Sequence, residues 1–457
     1  MNIVKFCEGG GALFSFHILH TQIKIRAKTE ALVDIIVLLG SFFILMILGV
    51  PVAISLCMSA CLYIVGFMDI PLLIIGQQML KGVDSFTLMA IPFFVIAGGL
   101  MESGGISTRI VDFSKSLVGH LPGGLAIVTV IASMIFAAMT GAGAATTAAV
   151  GGIMIPSMIK EGYNGGYASA IQAVGGIFGP LIPPSILMVL YSVASGESAG
   201  DMLLAGLIPG LFLGAVLIVV VVIQCVRLGY KGIGHFSFSF AVHSFIKSIW
   251  AILAPLIILG GIYTGIFTPT EASAIACLYC LIIGLFVYKE LPFKNLGVIV
   301  FKSVKSAAGI MFIVAATQAF GWVLTRAGIP QMVAHGFASV ISDSTLFMFA
   351  VVFILLIAGC FIDAVPALLI FAPILIPSAN AYDINLIHFG VIMVVTLCIG
   401  LATPPVGLNL FVASSVGKVP VHKIIPHIPI LLLAILIGTL FIVLIPEFST
   451  LLPSMMK

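Results

Sequence analysis

Two motifs rich in proline and glycine interrupt long apolar stretches of this 457-residue chain. One runs from Gly179 to Ser185 and the other from Gly400 to Gly407, and each contains a Pro-Pro pair. Proline lacks an amide hydrogen and clashes with the preceding helical turn, so each pair breaks a helix and frees carbonyl oxygens upstream. Freed carbonyls and neighbouring hydroxyls are hard oxygen ligands that suit Na⁺, and helix N-termini in the same cavity favour an anion such as a carboxylate.

A second kind of break precedes each motif. Residues 140–147 are rich in glycine and threonine and lie within the charge-free run 116–159. That run is too long for one crossing, which takes about 20 residues, so we expect two antiparallel helices that meet in a re-entrant hairpin. The matching segment of the second half is 359–366. Lipid tolerates unpaired backbone groups only where protein buries them or a wet cavity receives them, so paired breaks indicate a binding site.

Two charged residues lie beside these apolar runs. Asp363 separates the charge-free runs 344–362 and 364–382, and we expect a buried carboxylate that acts on an ion or a substrate. Arg326 ends the charge-free run 306–325. It either binds a substrate carboxylate bidentately or extends to the membrane interface. Glu271 follows Thr268 and Pro269, and we expect it to cap a helix that begins there.

The composition indicates an all-α protein that crosses a membrane many times. Hydrophobic residues make up 61% and charged residues 8%, whereas soluble domains have about 25% charged residues. The mean hydropathy is +1.31. The charge-free runs predict about ten to fourteen helical segments. A net charge of +3, dispersed along the chain, gives no indication of nucleic-acid binding.

An internal repeat with an offset of 221 residues relates 153–196 to 374–417. The distinctive matches are a Pro-Ser, an asparagine, a Pro-Pro and two glycines in one register. We therefore divide the chain into an N-terminal extension (1–33), a first membrane repeat (34–226), a basic linker (227–248) and a second membrane repeat (249–457). We expect inverted repeats, although identity alone leaves inverted and parallel arrangements open.

Two segments carry an excess of positive charge. The linker has three basic residues and no acid, and the segment 289–305 has four lysines and one glutamate. Loops rich in lysine and arginine lie preferentially on the cytoplasmic side of a membrane. Both segments are therefore predicted to be cytoplasmic loops.

Several short motifs resemble those of one family. They are 84–86, 90–94 with 97–98, 118–124, 179–185, 267–272 and 402–407. Together they resemble the large membrane subunit (DctM type) of tripartite ATP-independent periplasmic (TRAP) transporters, over about 34–447. The resemblance implies an elevator-type fold, Na⁺ coupling without an organic cofactor, and a bacterial inner-membrane location. It also implies a separate small four-helix membrane subunit, a periplasmic substrate-binding protein and surrounding lipid as partners. The implied substrates are C4-dicarboxylates, sialic acid or other sugar acids.

The resemblance places a sodium site between each hairpin tip and the neighbouring broken helix. Ala142 and Thr146 replace the serine and aspartate of the usual family tip, so backbone ligation is expected at the first site. The expected Na⁺ ligands are Thr140, Gly141, Gly143, Thr146, Gly179, Pro183, Gly359, Asp363, Gly400, Thr403, Pro404 and Gly407. The expected substrate contacts are Arg326, Thr147, Ser185, Asp363 and Asn409.

Other functions are less well supported. A stand-alone Na⁺-coupled anion symporter needs the same site but no partner proteins. A proton-pumping respiratory subunit needs chains of ionisable residues inside the membrane, and here only Asp363 and Arg326 qualify. The sequence contains neither a P-loop nor an H-E-x-x-H motif, so we expect no ATP-driven pump, no enzyme and no catalytic residue.

Overall fold

The computed structural model describes residues 36–232 and 236–456. The predicted N-terminal extension lies outside these ranges. Within them the chain forms helices and turns and no strand. The helices of the first half are α1 (Ile36–Ile47), α2 (Val52–Phe67), α3 (Leu73–Val83), α4 (Ala90–Ser103), α5 (Ile106–Val118), α6 (Gly124–Thr140), α7 (Gly143–Lys160), α8 (Gly165–Gly175), α9 (Ile186–Ser195) and α10 (Ala199–Arg227). The helices of the second half are α11 (Phe238–Tyr263), α12 (Pro269–Ile282), α13 (Leu296–Arg326), α14 (Ile329–Val340), α15 (Ser344–Phe361), α16 (Ala364–Ala381), α17 (Leu386–Gly400), α18 (Leu408–Gly417), α19 (Val421–Ile424), α20 (Ile428–Leu444) and α21 (Glu447–Met455).

The described part of the chain has seven helical stretches that are long and apolar enough to cross a membrane. An eighth is added if α3 and the segment Thr87–Ser103, which bend by 71° at a short break, count as one span. Shorter apolar helices of 10 to 17 residues, among them α6, α9, α17 and α18, lie between these stretches. The prediction of an all-α polytopic membrane protein is confirmed.

The helix bounds follow the 221-residue offset of the sequence repeat. Helix α7 begins at Gly143 and α16 at Ala364, and α8 begins at Gly165 and α17 at Leu386. The repeated asparagine has one role in both halves, because Asn164 and Asn385 each accept two backbone N–H bonds as the N-cap of the next helix. An N-cap satisfies donors that the first turn leaves unpaired, which accounts for this identity physically. The relative orientation of the two halves stays a prediction.

Helices extend into both segments that were predicted to be basic loops. Helix α11 begins at Phe238, so Lys247 is helical and the connection between α10 and α11 spans only 228–237. Helix α13 begins at Leu296 and includes Lys302 and Lys305. Lysine favours helix and its long side chain reaches the membrane interface, so these charges do not end either helix.

Glu271 caps α12 as predicted. Its Oε2 accepts the backbone N–H of Thr268 at 2.8 Å, and the Thr268 Oγ1 accepts the N–H of Glu271 at 3.3 Å. Pro269 occupies the first turn, where a missing amide hydrogen is harmless. This role at the helix start is a structural one.

Each hairpin packs on elements of both halves. In the first hairpin α6 packs on α7, and α7 also packs on α8 and on α18 of the second half. In the second hairpin α16 packs on α17 and on α9 of the first half. Helix α13 packs on α2, α3, α4 and α16. The four breaks therefore come together in the interior of the bundle, beside α13.

Candidate functional site

The first hairpin turns at Gly141 and Ala142. Gly141 has φ +64°, which favours glycine, and Ala142 is extended. Two threonine hydroxyls stabilise the turn by hydrogen bonds. The Oγ1 atoms of Thr140 and Thr146 lie 3.1 Å apart, and Thr146 Oγ1 donates to Ala142 O at 3.0 Å. The predicted hairpin is therefore present, with two packed helices joined by two residues.

The first hairpin tip contacts the first helix break through backbone atoms. A Cβ at Gly179 would lie 2.5 Å from Ala142 O, and one at Gly141 would lie 2.6 Å from Pro184 O. No other residue fits at these contacts, since side-chain carbons do not approach backbone so closely. The fold thus brings together two segments that the sequence motifs paired.

The second hairpin tip contacts the second break in the same manner. A Cβ at Gly400 would lie 2.5 Å from the Gly359 Cα. The N–H of Val406 in the break donates to Cys360 O at 3.2 Å. Gly407, at φ +50°, precedes α18. The Pro183–Pro184 and Pro404–Pro405 peptide bonds are both cis.

Asp363 lies inside the bundle, but its side chain is exposed to a cavity, whereas the sequence led us to expect a carboxylate packed against protein. It is the N-cap of α16, its Oδ1 accepts the N–H of Ala364 at 2.9 Å, and its side chain is exposed. The difference arises because one side of the α15–α16 turn packs on the second break, while Asp363 lines a cavity on the other side. A carboxylate here is accessible to a ligand that enters the cavity.

That cavity lies between the two hairpin tips and has a volume of about 130 Å³. Helices α7, α9, α16 and α18 all begin within it or within a turn of it, so four helix N-termini converge on one small space. The helix dipoles, and the first-turn N–H groups that Ser185 and Asp363 do not cap, make such an arrangement attractive to anions. Its lining comprises Gly141, Ala142, Gly143, Ala144, Pro180, Ile186, Leu187, Ile310, Asp363, Ala364, Val365, Leu401 and Leu408.

Two unpaired oxygens lie just behind the first tip. Thr147 and Asn409 are fully buried, and neither Thr147 Oγ1 nor Asn409 Oδ1 has a hydrogen-bond partner. Both side chains contact the position of Gly176, where a Cβ would collide with them. Asn409 Nδ2 donates to Ala173 O at 3.2 Å, which links the second half to the first. Unpaired buried oxygens are costly, and their lone pairs suit this pair to coordinating a cation.

The remaining expected ligands are placed away from the cavity or are already paired. Ser185 donates its hydroxyl to Pro180 O and accepts from Met188 N, and Thr403 donates to Ile399 O at 2.7 Å. Arg326 is exposed at the end of α13 and does not line the cavity. The last two expected Na⁺ ligands, Pro183 and Pro404, lie in the helix breaks but do not line this cavity. Pro183 instead faces Gly206 of α10.

Sequence reasoning missed one buried amide and two charged residues. Gln172 Nε2 donates to Thr146 O at 3.2 Å, which anchors the first hairpin to α8. Its signal was an amide side chain within the charge-free run 162–196. Glu102 and Lys302 line a second cavity that adjoins the first hairpin tip. Their signal was weak, because both lie near the ends of apolar runs, where charged residues commonly extend to the interface.

Comparison with known proteins gives a consistent result. The sequence profile described as "Tripartite ATP-independent periplasmic transporter, DctM component" matches residues 39–448. The chain is 40% identical to the C4-dicarboxylate TRAP transporter large permease protein of Pseudomonas aeruginosa, covering 88% of this chain and 94% of that one. It is 37% identical to the sialic acid TRAP transporter large permease protein of Vibrio cholerae, covering 90% and 96%. Its fold resembles the Alcanivorax borkumensis YdaH transporter, with a TM-score of 0.57 and 14% identity over 82% of this chain and 88% of that one.

Proposed function

The chain belongs to the DctM family of tripartite ATP-independent periplasmic transporters, and we propose that it couples uptake of an organic acid to Na⁺ at the site between its two hairpins. It is an inner-membrane transporter subunit. The observation that supports the proposal is the convergence of four helix N-termini and two hairpin tips on one cavity. Such a cavity suits a carboxylate, since its N–H groups and dipoles are fixed before the anion arrives.

Organic acids are the proposed substrate class. The relatives above are named for a C4-dicarboxylate and for sialic acid, and both substrates carry carboxylates. Asp363 is the one ionisable residue on the central cavity lining. We assign it to orienting the second tip, because its carboxylate caps α16 and would repel a substrate anion that bound without a cation.

Na⁺ is the proposed co-transported ion. Thr147 Oγ1, Asn409 Oδ1 and the carbonyls of the first break supply neutral oxygens next to the first tip. Among the described residues no group of three or more histidine, cysteine, aspartate or glutamate side chains is placed to hold a metal ion. Neutral oxygen ligands suit a monovalent cation, and a cation here offsets the charge of a neighbouring carboxylate. The second proposed Na⁺ site lies between Gly359 and the break 400–407.

The proposed assembly has three components. By its family this chain is the large membrane subunit, and we assign to it a small membrane subunit and a periplasmic binding protein as separate chains. In the proposed elevator mechanism the two repeats, taken as inverted, provide hairpins and broken helices that move together against α13, with lipid around the bundle.

The test is uptake by proteoliposomes that contain this chain and both partners. An inward Na⁺ gradient is expected to drive accumulation of a radiolabelled organic acid that the binding protein holds. Equal accumulation with a proton gradient in Na⁺-free buffer would contradict Na⁺ coupling. Omitting the partners provides the control, since full uptake by this chain alone would identify a stand-alone symporter.

A further inference from the structure

Helix α13 borders three cavities that follow one another along one of its faces. A cavity of about 650 Å³ contacts Lys302, Ser303 and Ser306, the central cavity contacts Ile310, and a cavity of about 340 Å³ begins at Val314. These positions recur every three to four residues, as one helical face requires. From Lys302 to Thr325, which lines the third cavity, the helix rises about 35 Å at 1.5 Å per residue, against about 30 Å for a hydrocarbon core.

Two further helices show the same order. On α9, Ile186 lines the first two cavities and Val193 lines the third. On α16, Val365 lines the central cavity and Pro373 lines the third. The first and central cavities share Ala142, Ala144, Ile186 and Ile310 in their walls, so they adjoin each other at the first hairpin tip. The central cavity therefore lies between the other two along α13. We call these the first vestibule, lined by Lys302, and the second vestibule, which begins at Val314.

The first vestibule contains two opposite charges. Lys302 projects from α13 and Glu102 from α4, and both side chains are exposed to it. Among the described residues, neither side chain makes a hydrogen bond or an ion pair within 4 Å. By contrast, Arg109 and Glu290 do form an ion pair, at 2.8 Å. Apart from Asp363, the linings of the three cavities contain no other Asp, Glu, Lys or Arg. Lys302 and Glu102 interact electrostatically without forming a close ion pair, so the ammonium at the mouth of this anion site can still bind an anion.

We propose that Lys302 binds the carboxylate of the organic acid in this vestibule and that Glu102 competes for the ammonium and promotes release. The inference rests on the proposed function and names a specificity-determining residue for it. The vestibule lies at the N-terminal end of α13, next to the segment 289–305 with its four lysines, so it opens toward the cytoplasm. An arriving carboxylate binds Lys302, and release follows when the ammonium turns to Glu102.

The experiment compares Lys302→Gln with Lys305→Gln in counterflow. Lys305 is exposed on the same helix but lines none of the three cavities, so it is a matched control. Proteoliposomes with both partners are loaded with unlabelled acid, and the internal concentration for half-maximal uptake of labelled acid is measured. Loss of a charge-assisted contact of about 1.5–3 kcal/mol predicts a roughly 10- to 150-fold rise for Lys302→Gln. Lys302→Arg is expected to restore most of the affinity, and Lys305→Gln is expected to behave as the wild type.

Glu102→Gln provides an independent arm with the opposite sign. Without its competitor, Lys302 holds the substrate longer, so the internal half-saturation concentration falls and the maximal rate falls with it. An unchanged internal half-saturation concentration in both Lys302→Gln and Glu102→Gln would overturn the proposal. If Lys302→Gln fails to insert, the Glu102→Gln and Lys302→Arg results decide.

Two controls distinguish carboxylate binding by Lys302 from a loss of transport as such and from lipid binding. Wild-type uptake is measured before any variant is compared. If the wild-type protein transports no organic acid, the proposed function itself is refuted. Lys302 would instead bind a lipid phosphate if the Lys302→Gln defect disappeared in phosphatidylcholine liposomes lacking phosphatidylglycerol, and that outcome overturns the inference. A defect of the same size in both lipid compositions supports it.

Discussion

Replacing Thr147 by valine separates a ligand role from a packing role. Valine has the shape of threonine without the hydroxyl, and the Thr147 Oγ1 is buried with no partner. An unsatisfied buried polar group costs about 1–3 kcal/mol. In Na⁺-free buffer Thr147→Val is therefore expected to unfold at the same temperature as the wild type or at a higher one.

The same substitution is expected to weaken Na⁺ binding. A contact between a neutral oxygen and a charged ligand contributes about 1.5–3 kcal/mol, which corresponds to a roughly 10- to 150-fold higher Na⁺ concentration for half-maximal uptake. The assay measures uptake in proteoliposomes, and thermal unfolding in detergent, across a Na⁺ series with choline holding ionic strength constant. Bound Na⁺ stabilises the wild type by mass action, so its unfolding temperature rises at lower Na⁺ than that of the variant.

Thr439→Val is the matched control, because Thr439 is equally buried but donates its hydroxyl to Ile435 O at 2.8 Å. It is expected to leave the Na⁺ dependence unchanged and to lower stability by about 1 kcal/mol. If Thr147→Val keeps the wild-type Na⁺ dependence, then its hydroxyl binds no cation and the reasoning from unpaired oxygens is refuted.

Three further substitutions test the remaining parts of the site. Asp363→Ala is expected to abolish uptake in proteoliposomes while insertion is retained, because the second tip loses its cap. Asp343→Ala, at an N-cap away from the cavities, is expected to lose only about 1 kcal/mol of stability. Normal uptake by Asp363→Ala would show that transport does not need Asp363 to orient the tip. Gly400→Ala places a Cβ against the backbone of α15, so uptake and about 1–3 kcal/mol of stability are expected to be lost. Gly260→Ala is the control, because a Cβ there meets no atom within 4 Å. It is expected to change neither uptake nor stability. Arg326→Lys is expected to transport at wild-type rates because Arg326 lies outside the cavity lining, and a strong loss would return it to the substrate site.

The sequence alone determined where the helices break and what class of protein they form. Pro-Pro pairs cannot continue a helix, and a charge-free run of 44 residues is too long for a single membrane crossing. Both breaks of the first half therefore follow from local chemistry. The capping roles of Asn164, Asn385 and Glu271 are equally local, since an N-cap bonds within its own first turn. The motifs that resembled the DctM family pointed to the family that the comparisons then showed.

Only the tertiary structure decided which polar groups share a cavity. Asn409 reaches the carbonyl of Ala173, 236 residues away, and no local pattern encodes such a contact. Asp363 was expected to be buried because it follows an apolar run, yet its side chain faces a cavity made by elements of both halves. Arg326 and Lys302 lie on one helix, and spacing alone did not show that the vestibule opens at Lys302. Apolar runs specify the helices and their proline and glycine motifs specify the breaks, whereas the packing of distant helices determines which helix faces enclose a cavity.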